Sequence, residues 1–129
     1  MFDKLEIFRM ADAMARHAST RQAVVARNLA NADTPGYAAR DIAPFKETYQ
    51  AQGAGFAQRA TRPGHLFNAF GDFPVQVREK DEALREPNGN SVSIEMEMLK
   101  AVDVQRQHER AIAIYKSSLT VLRAATSSR

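Results

Sequence analysis

The chain has 129 residues, a formal net charge of +3 and a hydrophobic fraction of 44%, and 22 of its residues are alanine. Leu, Ile, Val and Phe together number only 27, so we expect one small domain with a thin core. The sequence contains no cysteine, which excludes a disulfide framework, a thiolate metal cluster and a cysteine nucleophile.

The positive charge is spread along the chain. Residues 1–30 carry a net charge of +2, residues 31–90 carry −1 and residues 91–129 carry +2. A nucleic-acid-binding surface concentrates Lys and Arg on one face, so a mixed surface is favoured. No apolar stretch approaches the roughly 20 residues that span a bilayer. The charged start Met-Phe-Asp-Lys also predicts that the chain carries no cleaved signal peptide.

Residues 3–30 are predicted to form one long helix. Asp3 and Glu6 fit a capping box, and no Gly or Pro occurs before Pro35. Spacings that alternate between three and four residues define a heptad seam with one polar position. The seam consists of Phe8, Ala11, Ala15, Ala18, Gln22, Val25 and Leu29.

The helix pattern stops at the segment 31–37. Asn31 is predicted to close the helix in the left-handed conformation. Pro35 and Gly36 suit the central positions of a type II turn, in which Gly supplies the positive φ.

Residues 38–90 contain four of the five prolines and all but one of the six glycines. Ile42, Phe45 and Tyr49 are spaced for a short amphipathic turn. The segment 73–77 alternates like a brief strand, which Pro74 restricts to an edge. We therefore expect an irregular, partly disordered middle region with short pieces of strand or helix. The predicted division is 1–37, 38–90 and 91–129.

The last element is predicted to be a helix of more than 30 residues, about 50 Å long. Ser93 can cap it, and the negative charges of Glu95 and Glu97 in its first turn interact favourably with the positive N-terminal end of the helix dipole. Its heptad seam consists of Ile94, Met98, Ala101, Gln105, His108, Ile112, Tyr115, Leu119, Leu122 and Thr126.

These patterns predict a mainly α fold, in which the two long terminal helices pair as an antiparallel coiled coil beside a loop-rich middle. If Phe8 lies opposite Leu122, then Gln22 faces His108, and these polar positions would fix the register. We predict that the two seams take part in assembly with neighbouring subunits.

The sequence predicts no catalytic, cofactor-binding or metal site. His17, His65 and His108 do not have metal-ligand spacing, and a structural role is the favoured interpretation of the two helical ones. Ser91 and Ser93 precede a helix, where capping is the ordinary role of serine. An enzyme is therefore not expected.

The segment from Asn28 to Tyr37 closely resembles the N-terminal signature of bacterial flagellar rod, hook and hook-associated proteins. The residues that carry this signature turn are Asn28, Leu29, Asn31, Thr34, Pro35, Gly36 and Tyr37. The family's lead-in to its second helix, Asn-x-Val-Asp-Leu-Glu, is matched by residues 90–95 with Ser93 in place of Asp. The short length and the segments 40–41 and 61–66 are most similar to the proximal rod proteins of this family.

This resemblance implies a structural protein of the basal body rod, located in the periplasmic space and exported through the flagellar type III apparatus. It implies helical self-assembly through the terminal helices, torque transmission toward the hook and a lining for the export channel. The implied partners are other rod proteins, the rod adaptor, the membrane ring and the export gate, without nucleic acid or a direct membrane span.

Three alternatives stay open at the level of sequence. The first is another proximal rod protein of the same family. The second is a basic helical nucleic-acid-binding protein, for which Arg9, Arg16 and Arg27 lie near one helix face together with Asp12. The third is a cytoplasmic helical adaptor.

Overall fold

The computed structural model describes residues 2–53, 77–79 and 85–127. It is mainly helical, and the two long terminal helices confirm the predicted fold class. In chain order the elements are α1 (Phe2–Ala30), β1 (Arg40–Ile42), α2 (Phe45–Gly53), β2 (Val77–Glu79) and α3 (Ile94–Ser127). No described helix is both long enough and apolar enough to cross a membrane.

Helices α1 and α3 pack along most of their length and run antiparallel. The Phe8 ring meets the Tyr115 ring edge-on, with 5.1 Å between centroids. Further along α1, Asn28 is hydrogen-bonded to Glu97, which lies at the other end of α3. The apolar residues buried along the two helices are small: Ala11, Ala13, Ala18, Val24, Val25, Val104 and Ala111. The core is therefore a thin, alanine-rich layer, as the composition predicts.

The predicted register of this helix pair is wrong by one heptad. Phe8 contacts Tyr115, seven residues before its predicted partner Leu122. Gln22 and His108, the predicted polar pair, are both exposed. Heptad spacing repeats every seven residues, so it predicts which residues share a face but leaves several registers equivalent.

Helix α3 presents two stripes at heptad spacing. The stripe that packs on α1 is formed by Glu97, Lys100, Val104, Gln107 and Ala111, which are buried or half-buried. Much of the seam predicted from the sequence lies beside this stripe and is exposed. Its large apolar members have the exposed fractions Ile94 48%, Met98 59%, Ile112 38% and Tyr115 46%.

The remaining members of the predicted seams vary in exposure. On α1, Ala11, Ala18 and Val25 are buried and Gln22 is exposed. The half-buried members on both helices are Phe8, Ala15, Leu29, Ala101, Leu119 and Leu122, whereas Gln105 is exposed. The role of these residues in assembly stays a prediction.

The segment that follows α1 differs from its prediction at one point. Asn31 does not adopt a positive φ; in the described residues only Gly36 and Gly89 do. Short backbone bonds tighten the chain instead, from Asn31 N to Asn28 O and from Ala32 N to Leu29 O. The predicted turn at Pro35 and Gly36 forms, closed by a bond from Tyr37 N to Thr34 O.

The middle region contributes short elements beside α1. Strands β1 and β2 pair antiparallel, with Arg40 opposite Glu79. The predicted amphipathic turn becomes α2, in which the rings of Phe45 and Tyr49 lie 5.4 Å apart. Ile42 belongs to β1 instead and is buried. Most of the predicted strand 73–77 and all of the segment 61–66 lie outside the described residues.

Candidate functional site

A turn clamp connects the end of α1 to the segment that leads into α3. The Asn90 side chain is buried, and its Nδ2 lies 3.0, 2.7 and 2.9 Å from the carbonyl oxygens of Asn31, Ala32 and Thr34. Its Oδ1 accepts a 2.8 Å bond from Val92 N–H. One amide thus adds a donor to the Asn31 and Thr34 carbonyls, which also accept turn bonds from backbone N–H groups, and supplies a donor to the carbonyl of Ala32 just after the helix end.

Two glycines allow the backbones of the clamp to approach closely. Gly36 has φ of 74° and donates its N–H to Asn88 O at 3.0 Å, and Gly89 has φ of 81°. A Cβ on Gly89 would lie 3.4 Å from the Gly36 Cα. Ser91 adds two bonds, from its N–H to Tyr37 O at 3.1 Å and from Ala39 N–H to its Oγ at 2.8 Å. Ser91 therefore ties the two segments together.

The start of α3 is consistent with the predicted role of Ser93. Glu97 N–H donates to Ser93 O at 2.9 Å, and the Ser93 Oγ lies 3.5 Å from Met96 N. Ser93 thus occupies the position immediately before the first helical residue, Ile94.

Below the clamp, Asn28 is the centre of a buried polar network. Its Oδ1 accepts from Arg40 N–H at 3.1 Å and Tyr37 O–H at 3.3 Å. Its Nδ2 donates to Arg40 O at 2.7 Å and Glu97 Oε2 at 3.1 Å. The Lys100 ammonium pairs with the other oxygen of Glu97. Asn28 thus uses both its donors and its acceptor to join α1, β1 and α3.

His17 forms a second polar contact between α1 and α3. The buried ring has Nε2 2.7 Å from Ala43 O and Nδ1 3.3 Å from Gln107 Nε2. A carbonyl oxygen can only accept, so Nε2 carries the proton in this arrangement. The ring also lies edge-on to Phe45, 5.6 Å between centroids. These contacts agree with a structural histidine.

An ion pair attaches β1 to α1. Arg21 Nε and Nη2 each donate to an oxygen of the Asp41 carboxylate at 3.1 Å. Partial burial, the largest single influence, would alone raise the Asp41 pKa, whereas the hydrogen bonds from Arg21 and from Ile42 N–H lower it. With the positive charges of Arg21 and Lys100, they hold the pKa below its ordinary value of 3.8.

This lowered pKa predicts how stability depends on acid. A carboxyl group with a folded pKa below its unfolded pKa stabilises the fold fully above the unfolded value and loses that contribution as pH falls through the folded value. Denaturant unfolding between pH 7 and pH 2 should therefore show a loss beginning below about pH 4, and Asp41→Asn should reduce that loss. The exposed Asp33→Asn is the control. An equal pH slope in wild type and Asp41→Asn would contradict the prediction.

Gly36 supports a second stability prediction. Space around its missing Cβ is open, so the cost of a side chain comes from the positive φ alone. Gly36→Val should lower the free energy of unfolding by about 1–2 kcal/mol, whereas Gly36→Asn should cost less because Asn tolerates this conformation. Chemical denaturation of both variants measures the difference. Equal stability of the Val and Asn variants would contradict the role of φ.

The structure brings most of the signature turn together. Asn28, Asn31, Thr34, Gly36 and Tyr37 all contribute atoms to the network or the clamp. Leu29 is half-buried on α1, and Pro35 is exposed at the turn.

Sequence reasoning missed the partners of the signature turn. It placed Glu97 only at the helix dipole, and it gave no role to Lys100 or Gln107. The available signal was the spacing of Glu97 and Lys100, which puts opposite charges on one helix face next to Val104.

No group of three or more metal-binding side chains occurs among residues 2–53, 77–79 and 85–127. On the α1 face considered for nucleic acid, Arg16 pairs with Asp12 at 3.0 Å.

Comparisons with known proteins identify the family of this chain. A family model described as flagella basal body rod protein matches residues 13–37, which span most of α1 and the signature turn. The flagellar basal body rod protein FlgB of Agrobacterium fabrum (strain C58 / ATCC 33970) is 34% identical over 116 residues, which cover 88% of this chain and 87% of that protein. The chain therefore belongs to the FlgB family of flagellar basal body rod proteins.

Proposed function

We propose that this chain is a structural subunit of the proximal rod, which assembles with copies of itself and with other rod proteins into a tube. In this role it would transmit torque from the membrane ring toward the hook and line the export channel. The observation that carries the proposal is the apolar stripe of α3 that α1 leaves uncovered. Its residues Ile94, Met98 and Ile112 are 48%, 59% and 38% exposed, and the neighbouring Val102 is 48% exposed.

A helix with two heptad stripes is suited to pack against two neighbours at once. One stripe of α3 is covered by α1 of the same chain, and the other faces solvent. Burial of apolar surface contributes about 25 cal/mol per Å², so covering several half-exposed large side chains favours association. A neighbouring subunit in a rod would supply the second helix surface.

Membership in the rod protein family supports a proposal for the location and the further partners. We propose the periplasmic part of the basal body as the location, reached through the flagellar export apparatus. The proposed contacts are with other rod proteins, the rod adaptor, the membrane ring and the export gate.

Charged substitutions on the uncovered stripe test this function. Met98→Glu and Ile112→Glu should leave the α1–α3 pair folded, because both side chains are already exposed. They should prevent incorporation into rods, since an unpaired charge buried against a neighbour is costly. Circular dichroism checks the fold, and immunodetection in isolated basal bodies measures incorporation.

Val121→Glu is the matched control, because Val121 is 54% exposed but lies on the opposite side of α3 from Ile94 and Ile112. Normal incorporation of Met98→Glu and Ile112→Glu would contradict assembly through this stripe.

A further inference from the structure

We propose that two buried polar contacts select a single register for the α1–α3 pair, and we call them the register latch. The first contact joins Asn28 to Glu97 and Lys100, and the second joins His17 to Gln107. This goes beyond the proposed rod function, because it concerns how the chain chooses one pairing of its own helices.

Apart from the edge-on contact of Phe8 with Tyr115, the apolar layer between the helices discriminates poorly between registers. Its buried members, Ala11, Ala18 and Val25 on α1 and Val104 and Ala111 on α3, are all small. Small side chains present nearly the same surface after a shift of seven residues, and both helices carry heptad spacing. A shift by one heptad moves α3 by about 10 Å along α1.

The polar contacts do discriminate between registers. In the register that places Phe8 opposite Leu122, Asn28 would face Val104 and His17 would face Ile114. Both polar side chains would then meet apolar ones, and their hydrogen-bonding atoms would be left without those partners.

The same shift would also separate Glu97 from its partner on α1. A shift of seven residues would place Glu97 opposite position 35, beyond the end of α1 at Ala30. Glu97 is 1% exposed in the observed register, where Asn28 and Lys100 satisfy its carboxylate. In the shifted register Asn28 stays within the helix pair but loses this carboxylate, and leaving a buried polar group unsatisfied is costly, so buried polar pairs are effective determinants of register.

The absence of cysteine allows a direct distance measurement in the full chain. Ala23→Cys on α1 and Thr120→Cys on α3 replace two exposed side chains and can carry spin labels. In the observed register, the α1 residue that lies beside Thr120 is about 19 residues away from Ala23. The two labelled positions are therefore about 28 Å apart along the helix axis. The one-heptad shift toward Leu122 would shorten that separation by about 10 Å.

Two variants in this labelled background test the latch. The first, Glu97→Leu with Lys100→Leu and Gln107→Leu, removes the α3 half of both contacts and should add a second population about 10 Å shorter. The second moves the charged pair one heptad along α3 without changing the composition, by Glu97→Val, Lys100→Gln, Val104→Glu and Gln107→Lys. It should shift the main population to the shorter distance, because Asn28 then finds its carboxylate at position 104.

Each result supports or overturns the proposal. The latch is supported if the wild-type background gives a single distance, the first variant adds the shorter distance, and the second variant replaces the wild-type distance with the shorter one. A second variant that keeps the wild-type distance, or that shows no defined distance, overturns it even if the first variant does not fold.

Discussion

Lys100→Met is expected to destabilise the paired helices by about 3–5 kcal/mol. Glu97 is 1% exposed, and the Lys100 ammonium pairs with its carboxylate from within the same helix. Removing the ammonium leaves the carboxylate buried with the Asn28 amide. A loss of this size is a large share of the 5–15 kcal/mol that typically stabilises a domain. Urea unfolding followed by circular dichroism measures it.

A double variant separates the charge from the packing. Glu97→Gln combined with Lys100→Met removes both charges and keeps an amide beside Asn28, so it should recover a large part of the lost stability. Lys116→Met is the matched control, because Lys116 is exposed on the same helix and should change stability little. A Lys100→Met variant as stable as Lys116→Met would show that the buried pair contributes nothing.

The two long helices could be predicted from the sequence because their signals are local. Helix α1 ends at Ala30 as predicted, and α3 starts at Ile94 directly after the predicted Ser93 cap. Uninterrupted heptad spacing and the absence of internal Gly and Pro are properties that the chain carries residue by residue.

The register and the inward stripe of α3 could not be predicted in the same way. Periodicity identified the apolar positions of α3, such as Met98 and Ile112, and assigned them to the helix pair. The stripe that packs inside the chain instead includes Glu97 and Lys100, whose charges become compatible with burial only when Asn28 is opposite. That pairing joins residues 69 positions apart and has no local signature.

The turn after α1 contains one residue whose conformation was predicted correctly and one whose predicted conformation was wrong. The positive φ at Gly36 was predictable, because few residues other than glycine adopt it readily. Asn31 was expected to behave likewise, because helices often end in a left-handed residue. The chain instead pairs the last helix carbonyls through short bonds from Asn31 N–H and Ala32 N–H, so it does not need that conformation.

The clamp and the latch together fix the direction in which the uncovered stripe of α3 faces. Asn90 holds the entry to α3 against the end of α1, and Glu97 holds the first turns of α3 in register. Met98 follows Glu97 directly and is 59% exposed. Substitutions at Asn90 should therefore affect assembly as well as stability, although Asn90 is buried away from the stripe.

Asn90→Leu is expected to cost at least about 2–3 kcal/mol of stability. Leucine has a similar volume and preserves the packing, but it offers no donor to the carbonyls of Asn31, Ala32 and Thr34 and no acceptor to Val92 N–H. The Asn31 and Thr34 carbonyls keep their turn bonds, so the groups left unsatisfied are Ala32 O and Val92 N–H, and each such group costs about 1–3 kcal/mol. Denaturant unfolding of the full chain measures the loss.

Asn90→Asp tests whether the donor is the decisive part of the side chain. Aspartate keeps an oxygen for Val92 N–H but presents a second oxygen to the three carbonyls, so at pH 7 it should be at least as destabilising as leucine. Asn88→Ala is the control, because exposed Asn88 loses only its side-chain bond to Asn90 N–H and keeps the carbonyl that binds Gly36. Wild-type stability of Asn90→Asp at neutral pH would show that the clamp does not depend on the amide donor.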